Sequence, residues 1–245
     1  SEITWCKKAP MPESCQDRPT SATEKIFMFT KSAKYFYDNE AVRVPSTYQN
    51  GAAANFQRET KDHLIPGQSA KQHRNDRQPT ADSGTRNLWN YWILGSDNFK
   101  EAHFATFPQR LVERCIKAGT SERGCCPKCK SPHKRVVEKK FVQEGPQRNR
   151  GAQKSGDLMA KSMTTGDKGF VGHNDITTTG WVPTCKCLHS NGLQAAPCII
   201  LDPFSGAGTT ALVAAKLGRD AIGIELKPEY VDISAARIRS ALGML

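Results

Sequence analysis

The residues best suited to chemistry lie in Leu201-Asp202-Pro203-Phe204-Ser205-Gly206-Ala207-Gly208-Thr209-Thr210, with Glu225 downstream. Gly206 and Gly208 carry no side chain, so a ligand can lie against the backbone at both. A helix predicted to begin at Thr209 offers unbonded N–H groups at its start. A carboxylate at Glu225, at the end of the next strand, can accept both hydroxyls of a ribose. The elements that must position these groups follow from the flanking residues. Cys198-Ile199-Ile200-Leu201 reads as a buried strand, Thr209 to Leu217 as a helix stopped by Gly218, and Ala221-Ile222-Gly223-Ile224 as a second strand. Strand, glycine turn, helix, strand and acid make half of a nucleotide-binding α/β sheet. The plain alternative, glycines that only make a tight turn, leaves the spaced acid without a role.

The ligand class follows from charge. Gly206-x-Gly208-x-x-Ala211 can pass for a dinucleotide fingerprint. Asp202 argues against that, because a carboxylate beside the turn repels a pyrophosphate. It suits a cationic ligand such as S-adenosylmethionine, which carries an ammonium and a sulfonium and no phosphate.

Asp-Pro-Phe-Ser-Gly-Ala-Gly-Thr-Thr at 202–210, followed by Gly223-Ile224-Glu225-Leu226-Lys227-Pro228-Glu229-Tyr230, resembles the S-adenosylmethionine motif of DNA amino-methyltransferases. These enzymes methylate adenine N6 or cytosine N4. The motif order, with the cofactor turn near the C-terminal end, is similar to their permuted (β-class) arrangement. A second match lies at the start: Trp5-x-Lys7, Pro10-Met11-Pro12-Glu13-Ser14, Asp17-Arg18-Pro19-Thr20, Glu24-x-Ile26-Phe27, Lys31-Ser32 and Tyr35-x-Tyr37-Asp38. It resembles a bacterial and phage subgroup of the same family, departing at Lys8, where that subgroup has proline, and at Thr23, where it has histidine.

The resemblance implies an α/β, Rossmann-like S-adenosylmethionine-dependent methyltransferase sheet, incomplete here, with a cysteine-rich insertion. It implies that Asp202, Phe204, Ser205, Gly206, Gly208, Thr209, Thr210 and Glu225 hold the cofactor. It also implies that His103, Ala105, Thr106 and Phe107, in a His-x-x-Thr-x-Pro segment, cover the methionine end. Lys7 and Arg18, with Trp5, become candidate contacts to double-stranded DNA. The family grips its base with an Asp/Asn/Ser-Pro-Pro-aromatic motif, and this chain has no Pro-Pro pair. In the permuted order that motif belongs upstream of Ser1. The expectation is therefore a piece lacking its N-terminal part, with little activity alone and in need of that segment or a second chain. A different reading is a degenerate, DNA-gripping module. The expected location is the cytoplasm of a bacterium or of a phage-infected host, with a role in restriction-modification.

Composition sets wider bounds. A net charge of +11 over 245 residues suits a polyanionic partner. No long apolar run or signal peptide points to a membrane. Nine cysteines without a secretory signal indicate a reducing compartment, with thiols free or on metal.

Along the chain, residues 1–44 read as the last part of the catalytic region, with Ile3-Thr4-Trp5 a short strand. Glu24–Thr30, a buried strand, and Tyr35–Asp38 are expected to form an antiparallel hairpin. Residues 45–86 form a polar, basic loop suited to target recognition, or a surface insertion without a role. Residues 87–118 hold an aromatic run with Trp89 and Trp92, then a helix with Pro108 first and Leu111, Cys115 and Ile116 on one face. Residues 119–197 contain Cys126-Pro127-Lys128-Cys129 and Cys185-Lys186-Cys187, four thiols that can meet on one tetrahedral, structural zinc. Cys125, His133 and His189 are spare ligands, and free thiols in an insert are the alternative. Residues 198–245 form the cofactor-binding βαβα unit, whose last helix carries an apolar stripe at Val231, Ala235, Ile238 and Leu242.

Overall fold

A computed structural model describes residues 1–45, 84–95, 97, 107–143, 172–187 and 194–243. In chain order they form β1 (Glu2–Lys7), β2 (Thr23–Phe27), β3 (Val44–Pro45), β4 (Thr85–Arg86), β5 (Tyr91–Leu94), α1 (Gln109–Gly119), β6 (His133–Gln143), β7 (Gly172–Pro183), β8 (Ile199–Asp202), α2 (Thr209–Lys216), β9 (Asp220–Gly223) and α3 (Pro228–Ala241). The chain divides into two units. One comprises Ser1–Arg43, Asn87–Val136 and Thr179–Leu245, the other Val44–Arg86 and Val137–Thr178. The described part of the second is the antiparallel pair of β3 and β4 and the outer stretches of β6 and β7. The first holds every site discussed below.

In the first unit, β1 lies between β2, antiparallel, and β5, parallel. Trp5 and Trp92 are register partners across β1 and β5, and with Leu94 they form a buried cluster. Their indole N–H groups are satisfied: Trp5 donates to the Leu94 carbonyl at 3.2 Å and Trp92 to that of Trp89 at 2.9 Å. A second sheet pairs β8 with β9 in parallel, with Leu201 opposite Ile222 and Asp202 opposite Gly223. Helix α1 joins the two sheets. Val112 and Ile116, one turn apart, pack with Val213, Ala214 and Ile200, while Leu111 packs on the tryptophan cluster.

Several expectations need correction. The hairpin does not form: β2 ends at Phe27, and residues 31–38 contain no strand. β2 draws its ladder from β1 instead. Asp38 is held elsewhere, its N–H on the Ala118 carbonyl at 2.9 Å and its carboxylate on Arg135. Nor is that strand buried, since Phe27 is exposed and Phe29 is 87% exposed. The aromatic run at 87–94 is itself part of a sheet. It enters the sheet as β5, burying Trp92 and leaving Trp89 exposed and stacked on Tyr91 at 5.3 Å. Pro108 precedes α1, whose first N–H, on Gln109, is capped by Asp97 Oδ2 at 2.7 Å, and Cys115 faces outward. Finally, no residue of α3 is fully buried, and Val231 and Leu242 are exposed. That helix rests on Ser234 and Arg237 rather than on the ends of its apolar stripe.

Candidate cofactor turn and cysteine cluster

The glycine turn is built by backbone bonds between the two strand ends. Ser205 N–H donates to the Ile224 carbonyl at 2.9 Å, and Ile224 N–H to that of Asp202 at 2.9 Å. Glu225 closes the arrangement. Its Oε2 accepts the Gly206 N–H at 2.7 Å and its Oε1 the Lys227 N–H at 3.0 Å. The Lys227 N–H first, then that of Gly206, hold the Glu225 carboxyl below its ordinary range. Each carboxylate oxygen keeps a further acceptor position for a ligand hydroxyl. Asp202 sits at the end of β8, one oxygen accepting the Phe204 N–H at 3.0 Å.

The glycines have separate tasks. Gly206 has φ +51°, and a side chain added there would meet nothing within 4 Å, so the backbone faces open space. Gly208, at φ +74°, is pressed against α3: an added Cβ would stand 1.9 Å from Ser234 Oγ. Gly223 gives room to Ser205 Oγ, 2.6 Å from where its Cβ would be. Thr209 is buried, and its hydroxyl accepts from Arg237 Nη1 at 3.0 Å. The same Nη1 reaches the Ala207 carbonyl at 3.1 Å. Thr210 is half-buried in the first turn of α2, which no side chain caps. Phe204 and Leu226 stand almost wholly in solvent, at 89% and 94% exposure, just beyond the two carboxylates in sequence. An open backbone, two acids and two exposed apolar side chains fit a cationic nucleoside ligand.

Sequence reasoning missed Ser234 and Arg237 as supports of the turn. Their i, i+3 spacing puts them on one face of α3, a signal masked by the apolar stripe. His103, Ala105 and Thr106 lie outside the described residues. Lys7 pairs with Glu24 at 2.5 Å and lies 5.6 Å from the Trp5 ring centre. Arg18 bonds Glu13 at 2.7 Å and approaches Cys15 Sγ at 3.2 Å.

Away from the turn, the sulfurs of Cys126, Cys129, Cys185 and Cys187 all lie within 4.8 Å of one another. The Cys126–Cys129 turn is closed by Lys130 N–H on the Cys126 carbonyl and Cys126 N–H on that of Ser131, both 2.8 Å. Contact with Ser131 draws the Cys129 thiol down to about 6, and the Cys129 sulfur in turn pushes Cys187 up to about 12. Cys125 and His133 are engaged elsewhere: Cys125 Sγ lies 3.5 Å from the Pro197 carbonyl and His133 Nδ1 3.3 Å from that of Gly124. His189 lies outside the described residues.

The chain is 29% identical over 239 residues to the type II methyltransferase M.Cfr9I of Citrobacter freundii, covering 98% of this chain and 44% of that protein. It is 27% identical to M.XycI of Xanthomonas campestris pv. cyanopsidis, again over 98% and 44%. It therefore spans about half the length of these relatives. Among solved structures it is similar to the PvuII DNA methyltransferase (cytosine-N4-specific), with 16% identity, a TM-score of 0.44, and coverage of 96% of this chain and 49% of that one. M1.HpyAVI in complex with S-adenosylmethionine is also similar, with 16% identity, a TM-score of 0.35, and coverage of 97% and 60%. The N6/N4 DNA methylase family model matches residues 1–126 and 198–236, passing over the segment with Cys129, Cys185 and Cys187. With the glycine turn inside that match, the chain belongs to the N6/N4 DNA methylase family.

Proposed function

We propose that this chain supplies the S-adenosylmethionine site of a DNA amino-methyltransferase acting on adenine N6 or cytosine N4 in double-stranded DNA. The observation that carries this reading is the Glu225 carboxylate, tied to the Gly206 N–H beside an open glycine backbone. When bound, S-adenosylmethionine would supply an electrophilic methyl group, carried on a sulfonium, for the exocyclic amine of the base. Here Glu225 receives the ribose hydroxyls, and Asp202 the ammonium. Phe204 and Leu226 provide apolar walls for the purine. The positive charge, with Lys7, Arg18 and the basic stretch 45–86, favours a DNA partner.

The base-gripping Pro-Pro-aromatic motif is absent from this sequence. A methyltransferase must hold an extruded base as well as its methyl donor. The chain alone therefore transfers methyl groups poorly, and its activity depends on residues supplied by a further segment or chain. The same absence favours one second reading, a DNA-binding module without catalysis.

Calorimetry separates these readings. S-adenosylmethionine and its demethylated product are expected to bind, with Glu225→Ala weakening both about 10- to 100-fold, the range for lost bonds to a charged group. Binding of NAD in their place, or of neither nucleotide, would remove the proposal. Robust methylation of DNA by residues 1–245 would refute the dependence on further residues.

A further inference from the structure

We propose that Cys126, Cys129, Cys185 and Cys187 hold one zinc ion, which ties the start of β6 and the end of β7 to the turn after α1. Tetrahedral zinc on four thiolates, with bonds of about 2.3 Å, needs sulfurs about 3.8 Å apart. The four sulfurs already lie within 4.8 Å of one another, so small side-chain rotations complete the site. They come from two short turns far apart in the chain, which chance proximity in sequence does not explain.

The first turn is formed in advance. Cys126 is 1% exposed, and its N–H and carbonyl are both bonded within the turn. Lys130 has φ +61°, the left-handed region that residues other than glycine avoid; it is alone in this among the described non-glycine residues. The second turn follows β7 directly, and Thr184 Oγ1 donates to the Pro132 carbonyl at 2.7 Å, linking the two turns. Further in, the Arg135 guanidinium lies 4.4 Å from the centre of the Trp181 ring. Metal and cation–π contact would thus hold β6 to β7 at neighbouring levels.

Charge and chemistry agree. Four thiols give up their protons on binding, so the zinc centre carries two net negative charges. Lys128, Lys130 and Lys186 stand exposed within the same turns. Soft sulfur ligands in tetrahedral array select zinc over magnesium or calcium. No coordination position stays open, so the ion is structural.

The test uses the whole 245-residue chain, purified under reducing conditions. Elemental analysis is expected to give one equivalent of zinc, and cobalt substitution the absorption of a tetrahedral tetrathiolate site. Cys129→Ser and Cys187→Ser should lose the metal, whereas Cys15→Ser, which lies away from the site, should keep it. Because the serine variants can misfold, Cys187→His provides a second reading. It should retain one equivalent, with the thiolate-to-cobalt band reduced by about a quarter as one of four thiolates is lost. Iron in place of zinc, two disulfides, freely titrating thiols without metal, or full zinc retention in Cys187→Ser would each overturn the proposal.

Discussion

At the level of single residues, the two turn glycines separate folding from binding. Gly208→Ala places a methyl group against Ser234 at a positive φ. Left-handed strain and overpacking together cost about 3 kcal/mol. Thermal melting should show that loss. Gly206→Ala meets no neighbour, so only the backbone strain remains, about 1 kcal/mol. Its larger effect should be on cofactor affinity in calorimetry, because the new methyl occupies the space proposed for the ligand. Glu225 makes a prediction in pH. Its folded-state carboxyl is depressed, so its stabilising effect is complete above the ordinary value of 4.5 and is lost as pH falls through the lowered one. The difference in melting temperature between wild type and Glu225→Gln should therefore be constant near neutrality and vanish in acid.

At the level of elements, the arrangement depends on groups that meet across long stretches of sequence. Arg135 on β6 grips Asp38, with Nε at 3.1 Å and Nη2 at 3.0 Å from Oδ2, and reaches Glu122 at 2.6 Å. Asp38 is 5% exposed, so removing its partner strands a buried charge. Arg135→Met should cost about 3 kcal/mol, and Asp38→Asn in the same chain should recover part of it in a double-mutant cycle. This pair also shows where the sequence was legible. The order of elements in the β8–α2–β9 segment could be read because each residue's role is local: apolar strand, glycine turn, helix stop and acid follow in order. Its expected burial was wrong, since Ile199 and Leu201 on β8 are exposed, and apolar composition names no covering partner. The cysteine pairs were legible through their spacing. The hairpin was misread because residues 35–38 form no strand: Asp38 is claimed by a residue 97 positions away, which the local sequence does not show. The roles of Ser234 and Arg237 were hidden because the apolar stripe suggested another face of α3.

At the scale of the whole molecule, the β8–β9 sheet has one face covered by helices and one open. Leu201 and Ile222, paired across the strands, are 61% and 54% exposed, and Ile199 and Ile224 are exposed as well. Parallel sheets are ordinarily covered on both faces. An open apolar face should take up a hydrophobic dye and favour association. Leu201→Ser with Ile222→Ser should reduce dye fluorescence with little change in melting temperature, because neither side chain is buried in the monomer. The contact of Gly208 with Ser234 links the turn to α3. The glycine turn meets α3 there, so a ligand that tightens the turn, as proposed, should also quiet the helix. Cofactor occupancy should slow amide hydrogen exchange along 228–241, and removal of the Arg237 guanidinium should uncouple that response.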